Sequence, residues 1–279
     1  MHRWSYSALL AGLAALSLAV EGCPKKEESS GSGTQPPPAP SPVNTAPIPG
    51  TGGTPTPATN TAPTGAPGSI MGVVKFTGKA PEMKEVTPKP TDPACTKVVP
   101  KDNSVLVKDG GLKDVLVRIA VGGAKGEAKG AGPTFTQEGC MYLPRVAGVM
   151  PGQEVTYVNS DKTMHNVQIL KGTESVFNTG QPAASPPIKK PAPEDVGVLK
   201  VKCSVHPWMT AFLVVTDHPH FTVTGDDGKF ELKDIPSGGP YKLEAWHSEF
   251  GVKTADVTVV AGKPVEVKFE YAGTEKPAE

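Results

Sequence analysis

The chain has 279 residues, room for one or two domains of ordinary size once non-folding segments are set aside. Its 28 basic and 28 acidic residues cancel, so it lacks the basic footprint of a nucleic-acid binder and no nucleic-acid partner is expected. Beyond the N-terminal region no apolar run approaches the ~20 residues a membrane-spanning helix needs.

Residues 1–23 read as an export signal. His2 and Arg3 give a weakly basic start, and Ala8 to Val20 is apolar, uncharged and too short to span a bilayer. The run stops at Val20-Glu21-Gly22-Cys23, which resembles the lipobox of bacterial lipoproteins. That resemblance implies lipidation at Cys23, a membrane anchor at the N-terminus, and a place in the bacterial periplasm or cell envelope. Glu21 departs from the pattern, and the alternative is an ordinary secretory signal with an incidental cysteine. Residues 24–68 are rich in Pro, Gly, Ser, Thr and Ala, with no aromatic residue. Such a segment cannot bury enough apolar surface to offset its chain entropy and is expected to be a disordered tether.

From Ser69 onward, short Val/Ile/Phe-rich runs alternate with Gly/Pro turns, the pattern of strands. Ile70–Phe76 is the first. Residues 82–103 carry several prolines and read as loop. Ser104–Lys108 and Asp114–Val121 read as strands around Asp109-Gly110-Gly111, and 122–133 as loop. Two strands lie between Phe135 and Val158 around Pro151-Gly152-Gln153. Val167–Leu170 follows, then an irregular segment at 181–193, then Val196–Lys202 and Ala211–Val215. In 220–271, Phe221–Thr224 and Lys229–Leu232 flank Gly225-Asp226-Asp227-Gly228 and predict a hairpin. Further runs at Tyr241–Trp246, Ala255–Val260 and Val265–Tyr271 complete a small β-sandwich pattern. No stretch shows sustained helical periodicity, so the predicted fold class is all-β.

The chemistry concentrates in Cys203-Ser204-Val205-His206-Pro207-Trp208-Met209, with an upstream partner in His165-Asn166. A thiolate, two imidazoles and a thioether form the ligand list of a blue-copper electron-transfer site, because soft sulfur selects copper and imidazole suits both its oxidation states. Zinc is the chemical rival, since Cys and His suit it too. Taken singly, each residue has an ordinary explanation: a buried thiol, a surface imidazole, a core methionine.

The spacing C-x2-H-P-aromatic-M at the end of a strand, with His165-Asn166 after Asn159-Ser160-Asp161, resembles the cupredoxins, the amicyanins among them, over roughly residues 134–216. The resemblance implies a Greek-key β-sandwich holding one type 1 copper through His165, Cys203, His206 and weakly Met209. It implies that the Asn166 backbone N–H donates to the Cys203 sulfur and that its side chain ties down Ser204. It also implies that Pro207 and Trp208 flank His206 in an apolar patch where redox partner proteins, such as cytochromes, would dock.

Cys95 and Cys140 are left over, and export permits a disulfide between them; two separate buried thiols are the alternative. His218-Pro219-His220 reads as an interdomain turn rather than a second metal site, and His247 as a sheet-edge histidine. The few histidines argue against an oxidase, so the chain is expected to be a carrier and not a catalyst. Val223–Phe230 and Ile235–Tyr241 resemble the carboxypeptidase regulatory-like (transthyretin-like) sandwich, whose opening strand matches Gly72–Pro81, far upstream. The expected order is signal 1–23, tether 24–68, strands 69–133, a cupredoxin domain 134–217 and the small sandwich 218–279. Residues 69–121 either belong to that small sandwich, with the cupredoxin inserted, or extend the cupredoxin itself. Single-electron transfer is the leading function; copper storage, delivery or sensing is the alternative.

Overall fold

A computed structural model of the chain describes residues 66–277, apart from 88, 124, 125 and 129. The signal, Cys23 and the tether up to residue 65 lie outside the described residues. The first four strands are β1 (Pro67–Phe76), β2 (Val107–Lys108), β3 (Gly111–Leu112) and β4 (Leu116–Val121). Between β1 and β2 stands the one helix among the described residues, α1 (Pro93–Val98). The next nine strands are β5 (Thr134–Glu138), β6 (Met141–Leu143), β7 (Val146–Val149), β8 (Glu154–Asn159), β9 (His165–Lys171), β10 (Glu174–Gln181), β11 (Ile188–Pro191), β12 (Gly197–Lys202) and β13 (Thr210–Val215). The last five are β14 (Phe221–Val223), β15 (Lys229–Pro236), β16 (Gly238–His247), β17 (Gly251–Val259) and β18 (Pro264–Tyr271). The class is all-β.

Strands β5–β13 form one sandwich, with sheets ordered β10-β9-β12-β13-β7 and β11-β8-β5-β6. Its core holds Phe135, Tyr142, Tyr157, Val167, Val201, Leu213 and the metal-ligand candidates Cys203 and Met209. A second sandwich draws strands from both ends of the chain. β1 pairs antiparallel with β15 (Ile70↔Leu232) and parallel with β18 (Val74↔Phe269), while β4 pairs with β14 (Phe221↔Arg118) and β16 (Ala245↔Val117). Ile70, Val74, Val117 and Ile119 thus share one core with Leu232, Leu243, Phe269 and Tyr271.

The strands β4, β7 and β13 serve two cores at once. On β13, Ala211, Leu213 and Val215 face the first sandwich's interior, whereas Phe212 and Val214 pack outward on Leu116 and Val146, with Val223 and Trp246 beside them. Side chains alternate along a strand, so a continuous apolar run marks a strand covered on both faces.

Several local expectations are corrected. The predicted hairpin at 221–232 is not formed: β14 lies beside β4 and β15 beside β1, so the turn at Gly225–Gly228 carries the chain from one sheet to the other. The proline-rich stretch contains α1, whose Asp92 side chain caps the Ala94 N–H with Pro93 following. His247 is not at a sheet edge, because β16 lies between β4 and β17 and buries it. The chain is already in β1 at Pro67, inside the stretch expected to be tether.

Candidate metal centre

His165 opens β9, Cys203 directly follows β12, and Met209 directly precedes β13. Strand pairing fixes all three: β12 lies between β9 and β13, with Lys202↔Gln168 and Lys202↔Thr210 as the last registered pairs. The loop closes through Met209 N–H to His206 O and Cys203 N–H to Met209 O, at 2.9 and 3.2 Å. A turn so held presents the Cys, His and Met side chains inward; all three are buried, as is His165.

The donor atoms of His165, Cys203 and His206 lie within 4.8 Å of one another, a set that could hold a metal ion. The two imidazoles meet through Nδ1, 2.9 Å apart, and Cys203 Sγ is 3.7 Å from His206 Nδ1. One ion about 2 Å from each nitrogen fits such a gap. The donor chemistry fits copper: two imidazole nitrogens, one thiol sulfur and a fully buried thioether in the same core.

The outward nitrogens set which tautomer each ring adopts. His165 Nε2 is 2.8 Å from Asp161 Oδ2, and a carboxylate can only accept, so Nε2 carries the proton and Nδ1 keeps its lone pair for the centre. Asp161 is itself held by the N–H groups of Gly139 and Cys140, both at 2.8 Å. Those residues form the β5–β6 turn with positive φ (61° and 57°), which aims both N–H groups at one carboxylate. His206 Nε2 lies 3.6 Å from Cys95 Sγ. That sulfur is joined to Cys140 at 2.09 Å, so it has no S–H to give, and Nε2–H is the only donor in the contact. Burial and the neighbouring His165 push the His206 pKa down, against Asp92 and Asp161. Cys140 also accepts from Trp208 Nε1 at 3.0 Å.

Asn166 Oδ1 accepts from both the backbone N–H and the hydroxyl of Ser204, at 3.1 and 3.0 Å, pinning the residue after the thiol. The Tyr142 hydroxyl donates to Asn166 O and lies 3.4 Å from Lys202 O, bridging β9 and β12 beneath the centre. Pro207 and Val205 are exposed, and Trp208 stands 5.2 Å from the His206 ring. Away from this centre, His218 gives Nε2 to the Ile119 carbonyl and stacks on His220 at the crossing between sandwiches, which makes the pair part of a turn.

Of the residues singled out from the sequence, the structure brings the donor atoms of His165, Cys203 and His206 together, places Met209 in the same core and sets Asn166 on Ser204. Sequence reasoning missed Asp161, Asp92, Thr163 and Tyr142 as supports. Only Asp161 carried a signal, a carboxylate four residues before the candidate ligand His165.

No family model and no curated protein matches the chain. Among solved structures, it is similar to a purple cupredoxin from Nitrosopumilus maritimus at 23% identity over 30% of this chain and 99% of that one, with a TM-score of 0.27. It is similar to a Cu(I) form of an amicyanin variant at 16% identity over 36% of this chain and 98% of that one, with a TM-score of 0.28. A copper-containing nitrite reductase from Thermus scotoductus matches at 24% identity and a TM-score of 0.28, over 36% of this chain and 25% of that one.

Proposed function

We propose that the chain is an exported, lipid-anchored copper protein of the cupredoxin type that relays single electrons and catalyses no reaction of its own. The observation that carries this reading is the buried Nδ1/Nδ1/Sγ triad whose outward nitrogens are both fixed by the fold. Copper bound there would supply a one-electron couple. The chain's own part is to keep four donors in place while the charge changes: β9 holds His165, the β12–β13 loop holds Cys203, His206 and Met209, and Asp161 and Cys95 keep each ring turned inward. Ligands that cannot rearrange keep the reorganisation small, and burial excludes water. The site's partners would be redox proteins such as cytochromes, met near Pro207 and Trp208, with the N-terminal lipid anchor holding the head at a bacterial envelope membrane.

The test is addition of Cu(II) to the protein without its signal. An intense visible sulfur-to-copper band with a type 1 EPR signal, both lost in Cys203→Ala, is the expected result. A colourless protein would overturn the reading.

A further inference from the structure

The outer edge of His206 is covered, and the cover comes from the other sandwich. The described residues of 84–102 (all but 88), in the β1–β2 connection, form an arm closed at its base by Val86 N–H to Pro100 O, Asp102 N–H to Lys84 O and the Glu85↔Lys101 bridge. Its tip is α1. There Asp92 takes the Thr163 hydroxyl at 2.6 Å and stands 3.9 Å from His206 Nε2, while Cys95 puts its sulfur against that same nitrogen. With the arm down, His165, Cys203 and Met209 are at most 1% exposed and His206 is 3% exposed, so no ligand side chain is open to an incoming ion.

The ligand candidates are held by laddered strands or by a loop closed on itself through Met209 N–H to His206 O and Cys203 N–H to Met209 O, whereas the arm's tip is a helix of six residues whose outer face, Thr96 to Val99, is exposed. The part with the fewest cooperative contacts is the part that opens. We propose that the arm is the loading gate of the metal centre and that Cys95–Cys140 is the seal that closes it after loading. This rests on the metal-binding reading above. Closure is thiol–disulfide exchange: the Cys95 and Cys140 thiols become one disulfide, and a disulfide donor, RSSR, takes the two electrons and two protons and leaves as two RSH. Once made, the bond is buried at 0% and 1% exposure, so a thiol reaches neither sulfur unless the arm lifts first. The seal therefore works in one direction.

The experiment compares the metal-free oxidised protein with Cys95→Ser/Cys140→Ser under diethyl pyrocarbonate, which acylates a neutral imidazole only where a ring nitrogen is accessible; at His206 the outward nitrogen, Nε2, is the one the arm covers. Peptide mass spectrometry reads His206, with buried His218 and His247 as internal references. The expected result is His206 modification at least about tenfold faster in the double variant, the scale of a local opening no longer held by a crosslink, with His218 and His247 unchanged. In the copper-loaded proteins, transfer of the metal to a chelator rises by a similar factor. Equal His206 rates overturn the proposal. So does a rise at all three histidines, which would make the disulfide a brace for the whole fold, and so does a His206 that opens without faster metal transfer. If neither protein takes copper, the functional reading falls, and the imidazole comparison still decides whether the arm is the cover.

Discussion

Asp161 works at the scale of a single residue: its two oxygens take two backbone N–H groups and the His165 Nε2–H, so the carboxylate converts a turn into an orientation for the ring of a proposed ligand. In Asp161→Ala the ring is free to present either nitrogen. Removing such a support lowers metal affinity by roughly 10–100-fold, and competition against a chelator measures it. A second prediction concerns His247, stacked 4.7 Å from Phe250 and held neutral by burial and then by the nearby Arg145, which together lower its pKa to about 4 from an ordinary 6.5. Between those values the unfolded chain binds a proton that the folded chain refuses, so stability falls as the pH drops through that window. The loss amounts to about 2–3 kcal/mol by pH 4. Thermal melts from pH 7 to pH 4 check it, and His247→Gln should flatten the slope; an unchanged slope would assign the acid sensitivity elsewhere.

At the scale of elements, the two sandwiches meet where β7 passes β14. Gly148 has no room for a side chain: a Cβ there would lie 2.4 Å from the Phe221 ring and 3.2 Å from Leu116. Gly148→Val is expected to cost about 2–3 kcal/mol by overpacking, and to redden Trp246 emission as that ring, 5.4 Å from Phe212, gains water. A thermal melt and a fluorescence spectrum test this. The same seam shows what sequence could and could not reveal. Ala211 to Val215 was legible as a strand because it is apolar throughout, yet the run alone does not say what covers its second face. β10 was illegible: Glu174 to Gln181 is largely exposed and polar, and its strand character comes from its ladder with β9. α1 was illegible for another reason, since six residues are too few for periodicity, and only Asp92-Pro93 marked its start. The candidate ligands were readable because three of them share one short loop, whereas Asp92 and Tyr142 join them through tertiary contacts between segments far apart in sequence, and Thr163, two residues before His165, acts by holding Asp92.

At the scale of the whole molecule, the described residues form one sandwich threaded into another. β1 holds a central place in its sheet and β4 is one of the two interior strands of its own, so residues 218–279 lack an interior strand of each. Ile70, Val74, Phe76, Val117 and Ile119 would be missing from their core, leaving Leu232, Leu243 and Phe269 without partners. That fragment, expressed alone, is expected to show no cooperative thermal transition. The reverse excision should succeed. β4 and β14 pair side by side, and Ile119 N–H reaches the His220 carbonyl at 3.2 Å, so the ends that flank the inserted strands are already neighbours. A chain in which an Asn-Gly turn replaces residues 122–217 needs only a tight connection there, and closing a shorter loop costs less chain entropy. With Cys95→Ser removing the stranded thiol, circular dichroism should show a cooperative β melt at a lower temperature than the full chain, because Leu116, Val223 and Trp246 lose their cover. The excised chain should give no sulfur-to-copper band, having lost every proposed ligand. A cooperative melt of 218–279 by itself would show that the last strands need nothing from the first, and the threaded arrangement would not hold.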